Sequence, residues 1–115
     1  MNKTLLIASM LFLCQSALAA GNAAAGADKA KACLACHGAD ANKPIAPDIP
    51  RLAGQHGSYL ERAMLDYKSG VRKDPVMNGQ AGALSKQDIL DLAAYFHSLP
   101  GTLKVIPLHR FVSKD

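Results

Sequence analysis

The sequence predicts an all-α domain of three main helices joined by long loops, and three observations carry that prediction. Apolar residues recur at helical spacing over 58–70 and 85–100, and between residues 22 and 101 no stretch alternates as a strand would. The chain is also short of bulk for a core, with no Trp, three Phe and three Tyr in 115 residues. A domain this small needs something besides its own side chains to fill the interior. Disulfides are a poor answer, because beyond the N-terminal region only Cys33 and Cys36 are left to close a tiny loop.

The first twenty residues read as a secretory leader. Lys3 precedes an apolar run over 5–13 that is too short to span a bilayer, and Ala17, Leu18 and Ala19 supply a small-x-small cleavage pattern. Cleavage is expected after Ala19 or Ala20, which sends the mature chain to the periplasm without stable membrane insertion. An uncleaved anchor fits the short run less well, and Leu13 is too bulky a neighbour for Cys14 to be a lipidation site. The expected organisation is a leader over 1–20, one domain over 21–101 and a C-terminal extension over 102–115. Loss of Lys3 with the leader leaves twelve basic against nine acidic residues, a formal +3. No Lys/Arg run marks a phosphate-binding patch, so nucleic acid is not an expected partner.

Residues 23–35 are rich in Ala and Lys without Pro or β-branched residues, which predicts the first helix. From Gly38 to Gly57, Pro44, Pro47 and Pro50 interrupt any regular period and predict a loop, long enough that it should wrap something. Ser58 and Glu61 have the spacing of a capping box, Leu60, Ala63, Met64 and Tyr67 follow on one helical face, and Gly70 ends the second helix. Pro75, Gly79 and Gly82 predict a loop over 71–84. Ser85 and Asp88 open the third helix, whose stripe of Ile89, Leu92, Ala93 and Phe96 runs to Pro100 and Gly101.

Chemistry concentrates in the string Cys33, Leu34, Ala35, Cys36, His37, the C-x-x-C-H pattern of covalent haem attachment. On a helix the three side chains share one face, so two thioethers can fix the porphyrin while the imidazole reaches the iron. A thioredoxin-like dithiol would want strands around it, and a structural zinc site would want four ligands. One haem c, covalently attached, is therefore the expected cofactor. For the opposite face of the iron, Met77 in the 75–82 loop is favoured over Met64, whose place on an apolar stripe suits core filling. His56, His97 and His109 would give bis-His iron, but each has an ordinary explanation in a turn, at a helix end or in the tail. The second ring nitrogen of His37 needs an acceptor, and the carbonyl of Pro47 is the candidate.

Together with the stretch 46–55 and the run 84–96, the haem string makes the chain resemble the bacterial class I c-type cytochromes, in particular one half of the periplasmic dihaem cytochromes c. The resemblance covers residues 22–100. It implies a class I cytochrome c fold wrapped around one covalently bound haem, with Gly26 letting the first and last helices touch beside Tyr95 or Phe96. It likewise implies Met77 as axial ligand and Pro47 as partner of His37. The chain departs from the dihaem proteins in having one attachment string, and its 102–115 tail runs past the family pattern.

The function these readings predict is a monohaem, His/Met-ligated carrier of single electrons between periplasmic or membrane-bound redox proteins, without a small-molecule substrate and not an enzyme. Lys43, Arg51, Arg72 and Lys73 lie in the loops expected to rim the haem, where they would steer acidic partners or simply face solvent. Two other readings stay open: an electron-transfer subunit of an oxidoreductase complex, and a sensor or enzyme with an open sixth coordination site.

Overall fold

The computed structural model describes residues 20–103. The leader up to Ala19, with Cys14, and the tail from Lys104 onward, with His109, lie outside the described residues. Within them the chain forms five helices and no strand: α1 (Ala23–Lys29), α2 (Lys31–His37), α3 (Gly57–Ser69), α4 (Pro75–Gly82) and α5 (Lys86–Ser98).

The single first helix expected from composition is broken at Ala30. Its backbone stays right-handed at φ −65°, but the N–H of Cys33 reaches back only to Ala30 O, three residues away, at 2.8 Å. Ala30 is fully buried at this joint, so the break sits where the chain presses against the core.

α3 begins at Gly57, one residue before the expected start. His56 occupies the N-cap without a side-chain cap bond, so the Ser58–Glu61 box does not form. Its other end is as expected, with Gly70 left-handed at φ 78°. α5 opens on the expected capping box, Ser85 accepting from Asp88 N at 3.1 Å while Asp88 Oδ2 accepts from Ser85 N at 2.8 Å.

The predicted 71–84 loop instead holds a helix. Asp74 Oδ1 accepts from Met77 N at 2.8 Å as an N-cap side chain, and Pro75 follows in the first turn, where its missing N–H costs nothing. Gly79 and Gly82, which favoured a loop, sit inside this helix with open space where a side chain would be.

α1 and α5 pack closely because α1 places a glycine at the crossing. A Cβ on buried Gly26 would collide with the backbone oxygen of Asp91 and lie 2.8 Å from Tyr95 Cβ. The resulting core is thin. Ala30, Ala41, Ala53, Leu60, Leu92, Ala93 and Phe96 form its cluster, four of the seven being alanines, and Ile89 and Leu92 are the largest fully buried side chains among the described residues.

Candidate functional site

Helix α2 delivers three of the expected site residues. Cys33 is half-buried, Cys36 is exposed, and His37, the last residue of the helix, is buried at 6% exposure. Both cysteines are free. Burial pushes the Cys33 thiol up, so apolar surroundings rather than charge dominate that position.

The chain turns sharply after His37. Gly38 has φ 92°, and a Cβ there would collide with the backbone oxygen of Lys43, so this turn requires glycine. Asp40 stabilises the next turn by accepting from Asn42 N at 2.9 Å and Lys43 N at 3.0 Å, bonds that hold its carboxyl below the usual range. Ala41 O then takes bonds from Leu52 N and Ala53 N, closing the loop on itself.

That loop supplies the partner of His37, but not through Pro47. The ring Nδ1 lies 2.7 Å from Pro50 O. Pro47 is exposed at the second position of a turn closed by Ile49 N donating to Ala46 O at 3.2 Å, and this turn brings the carbonyl three residues further on to the imidazole. A carbonyl only accepts, so Nδ1 carries the proton in this contact and Nε2 is left for another partner. Among the described residues Nε2 has no hydrogen-bond partner, and no buried polar side-chain atom is left unpaired, so Nε2 is the atom that opens outward.

Met77 lies on α4, half-buried, and lines an open cleft with Cys33. The cleft is small, about 70 Å³, and lies between Lys29, Ala32, Cys33, Met64, Met77, Gln80, Ala81, Leu84 and Leu92. Both candidate methionines are therefore in one cleft. Met64 also packs against the core cluster, whereas Met77 does not. His56 and His97 are elsewhere, with rings 6.5 Å apart and His97 Nδ1 2.8 Å from Gln55 O. Of the four charges expected at the rim, all exposed, Arg51 donates to Thr102 Oγ1 at 3.1 Å. Arg72 donates to Tyr59 OH at 3.3 Å and stacks 4.8 Å from the centre of the Tyr67 ring.

Sequence reasoning missed Gln80, Ala81 and Leu84 as cleft residues. With Met77 they repeat at i, i+3, i+4 and i+7, a helical stripe that the two glycines disguised. The donor set fits a covalently held haem: two thiols three residues apart, an imidazole with Nε2 bare and Nδ1 anchored, and an apolar cleft that Cys33 and Met77 line but Cys36 and His37 do not. In such a site Cys33 and Cys36 would hold the ring and His37 would bind the iron, with Met77 the candidate for a second iron ligand.

Comparison with known proteins agrees. The family model described as cytochrome c matches residues 20–100. Cytochrome c4 of Pseudomonas aeruginosa is 52% identical over 100 residues, covering 85% of this chain and 49% of its own. Cytochrome c-554(548) of Halomonas halodenitrificans is 46% identical over 82 residues, covering 69% of this chain and 98% of its own. Reduced recombinant cytochrome c4 from Pseudomonas stutzeri superposes with a TM-score of 0.67 at 43% identity, over 73% of this chain and 48% of that one. The chain thus spans about half the length of the cytochromes c4 it matches and nearly all of the Halomonas relative.

Proposed function

From the premise that the chain belongs to the cytochrome c family, a family of electron carriers whose domain holds one covalent haem c, we propose that it is a monohaem single-electron carrier of the periplasm. Thioethers from Cys33 and Cys36 would hold the ring, and His37 and Met77 would ligate the iron. Bound haem supplies a one-electron Fe(III)/Fe(II) couple, and a soft thioether opposite imidazole favours the ferrous state and closes the iron to small ligands.

The observation that carries this reading is the 2.7 Å contact between His37 Nδ1 and Pro50 O. It fixes the tautomer and the ring orientation, and it makes Nε2 the better donor. Met77 is preferred to Met64 because Met64 already packs against the core cluster. One attachment string, and a relative spanned over 98% of its length, support a domain that works with a single haem. No described helix is long and apolar enough to cross a membrane, and export to the periplasm rests on the leader read from the sequence. Donor and acceptor are redox proteins, met through a small transient contact.

The test is a pyridine-haemochrome assay with reduced-minus-oxidised spectra of the mature protein and of Met77→Ala. One haem per chain, with low-spin His/Met features lost in the variant, is expected. An unchanged Met77→Ala spectrum removes Met77 from the iron. Carbon monoxide added to the reduced wild type should bind poorly, and immediate binding would favour the open-site reading instead.

A further inference from the structure

Helix α4 is too short to hold itself together. It spans eight residues, two of them glycines, and isolated helices of this length are unstable in water. Tertiary ties must fix it, and two sets of them leave from consecutive residues of α3. Near the α4 start, Asn78 Nδ2 donates to Tyr67 O at 2.6 Å and to Arg72 O at 2.8 Å, while Asn78 Oδ1 accepts from Asp74 N at 2.8 Å. Past the other end, Lys68 Nζ donates to Gly82 O at 2.9 Å and Leu84 O at 2.7 Å. These are carbonyls at a helix C-terminus, where unpaired acceptors and the helix dipole both favour a cation. Tyr67 and Lys68 thus brace α4 at Asn78 and at its C-terminal end, and Met77 is the residue next to the first brace.

We propose that Lys68 and Asn78 are positioning residues that hold α4 so that Met77 stays on the haem iron. The inference rests on the His37/Met77 ligation proposed above. Neither residue touches the Met77 side chain among the described contacts; both act on the backbone that carries it. An incoming ligand must lift the thioether away, and bracing α4 makes the displaced state less accessible. A role confined to overall stability predicts something else: a folded but less stable protein would exclude the ligand as well as the wild type does.

The experiment is a spectroscopic titration of the ferric holoprotein with imidazole, which competes for the methionine position. Lys68→Met keeps the aliphatic stem of an exposed residue and loses the ammonium, so the fold should tolerate it. It is expected to bind imidazole about three- to tenfold more tightly than the wild type, from the loss of two bonds, and Asn78→Ala at least as tightly, from the loss of three. Lys68→Arg, which restores a cation with several donors, should recover most of the exclusion. Arg62→Met removes an exposed ion pair with Asp66 on the same helix without touching α4, and should match the wild type. Met77→Ala is titrated in parallel and should bind imidazole freely. If it does so while Lys68→Met and Asn78→Ala keep wild-type affinity, the bracing role is wrong and the ligation stands. If Met77→Ala excludes imidazole as the wild type does, the ligation falls and this inference with it.

Discussion

Lys29 Nζ lies 2.7 Å from Asp91 Oδ2, joining the end of α1 to the middle of α5. Asp91 is 3% exposed and also accepts from Asn22 N at 2.8 Å and Gln87 Nε2 at 2.9 Å. The Asn22 backbone bond, then Lys29 and Gln87, hold its carboxyl at about 2 against an ordinary 3.8. The network lies at the crossing that Gly26 makes possible, so close backbone approach and a buried carboxylate belong to one device.

An acid-stability prediction follows with a definite sign. As pH falls through 3.8 the unfolded chain takes up a proton at Asp91 while the folded chain refuses it until about 2. The stabilisation is therefore fully present above that window and is lost progressively within it. Asp88 and Asp40, also held low, act in the same direction. Asp91→Asn should be less stable at neutral pH and show a flatter loss of stability between about pH 4 and 2. Chemical denaturation at a series of pH values measures both, and parallel curves for variant and wild type would reject the assignment.

A pair of glycine substitutions separates packing from propensity. Gly26→Ala places a methyl group against the Asp91 carbonyl and should cost about 1–3 kcal/mol, because α1 must back away from α5. Gly79→Ala adds the same methyl within α4, where nothing lies within 4 Å, and should stabilise by about 0.5–1 kcal/mol. Thermal melts of the two holoproteins should move in opposite directions.

What the sequence made legible was local. The Ser85–Asp88 box, the stop at Gly70 and the attachment string each depend on residues within four positions of one another, so their chemistry is visible without tertiary context. Gly26 was legible only through the family resemblance, since nothing local shows that α5 lies against it. The Pro50 contact was misplaced by three residues, because which carbonyl meets an imidazole thirteen residues away depends on how the intervening loop folds. The Lys29–Asp91 pair spans 62 residues and left no local trace. The omission of α4 had another cause: Asp74 and Pro75 were a start signal in plain view, and Gly79 and Gly82 outweighed it.

The α4 cap provides a third prediction. Asp74→Ala removes the acceptor of Met77 N and should cost about 0.5–2 kcal/mol, as N-cap losses do. The loss should be concentrated in α4, since Asp74 Oδ1 serves that helix. Hydrogen exchange resolved by residue is the measurement: amides of residues 77–82 should exchange faster than in the wild type, while those of α5 keep their protection. Uniform acceleration along the chain would mean that α4 does not open separately.

The last prediction concerns the chain deprived of its cofactor. Four of the seven residues in the core cluster are alanines, and the cleft between α2, α3 and α4 leaves Cys33, Met64, Met77 and Leu84 only half-buried. A domain of this size with so thin a core has little stability to lose. Local signals for helix persist without the ring, including the Ser85–Asp88 box and the Ala-rich first segment. The double variant Cys33→Ser/Cys36→Ser, prepared without haem, should therefore keep part of its far-UV helical signal, lose near-UV structure and bind a hydrophobic dye, without a cooperative melt. A sharp transition near that of the holoprotein would show that the polypeptide builds its own interior and that the cleft is not a place where core is missing.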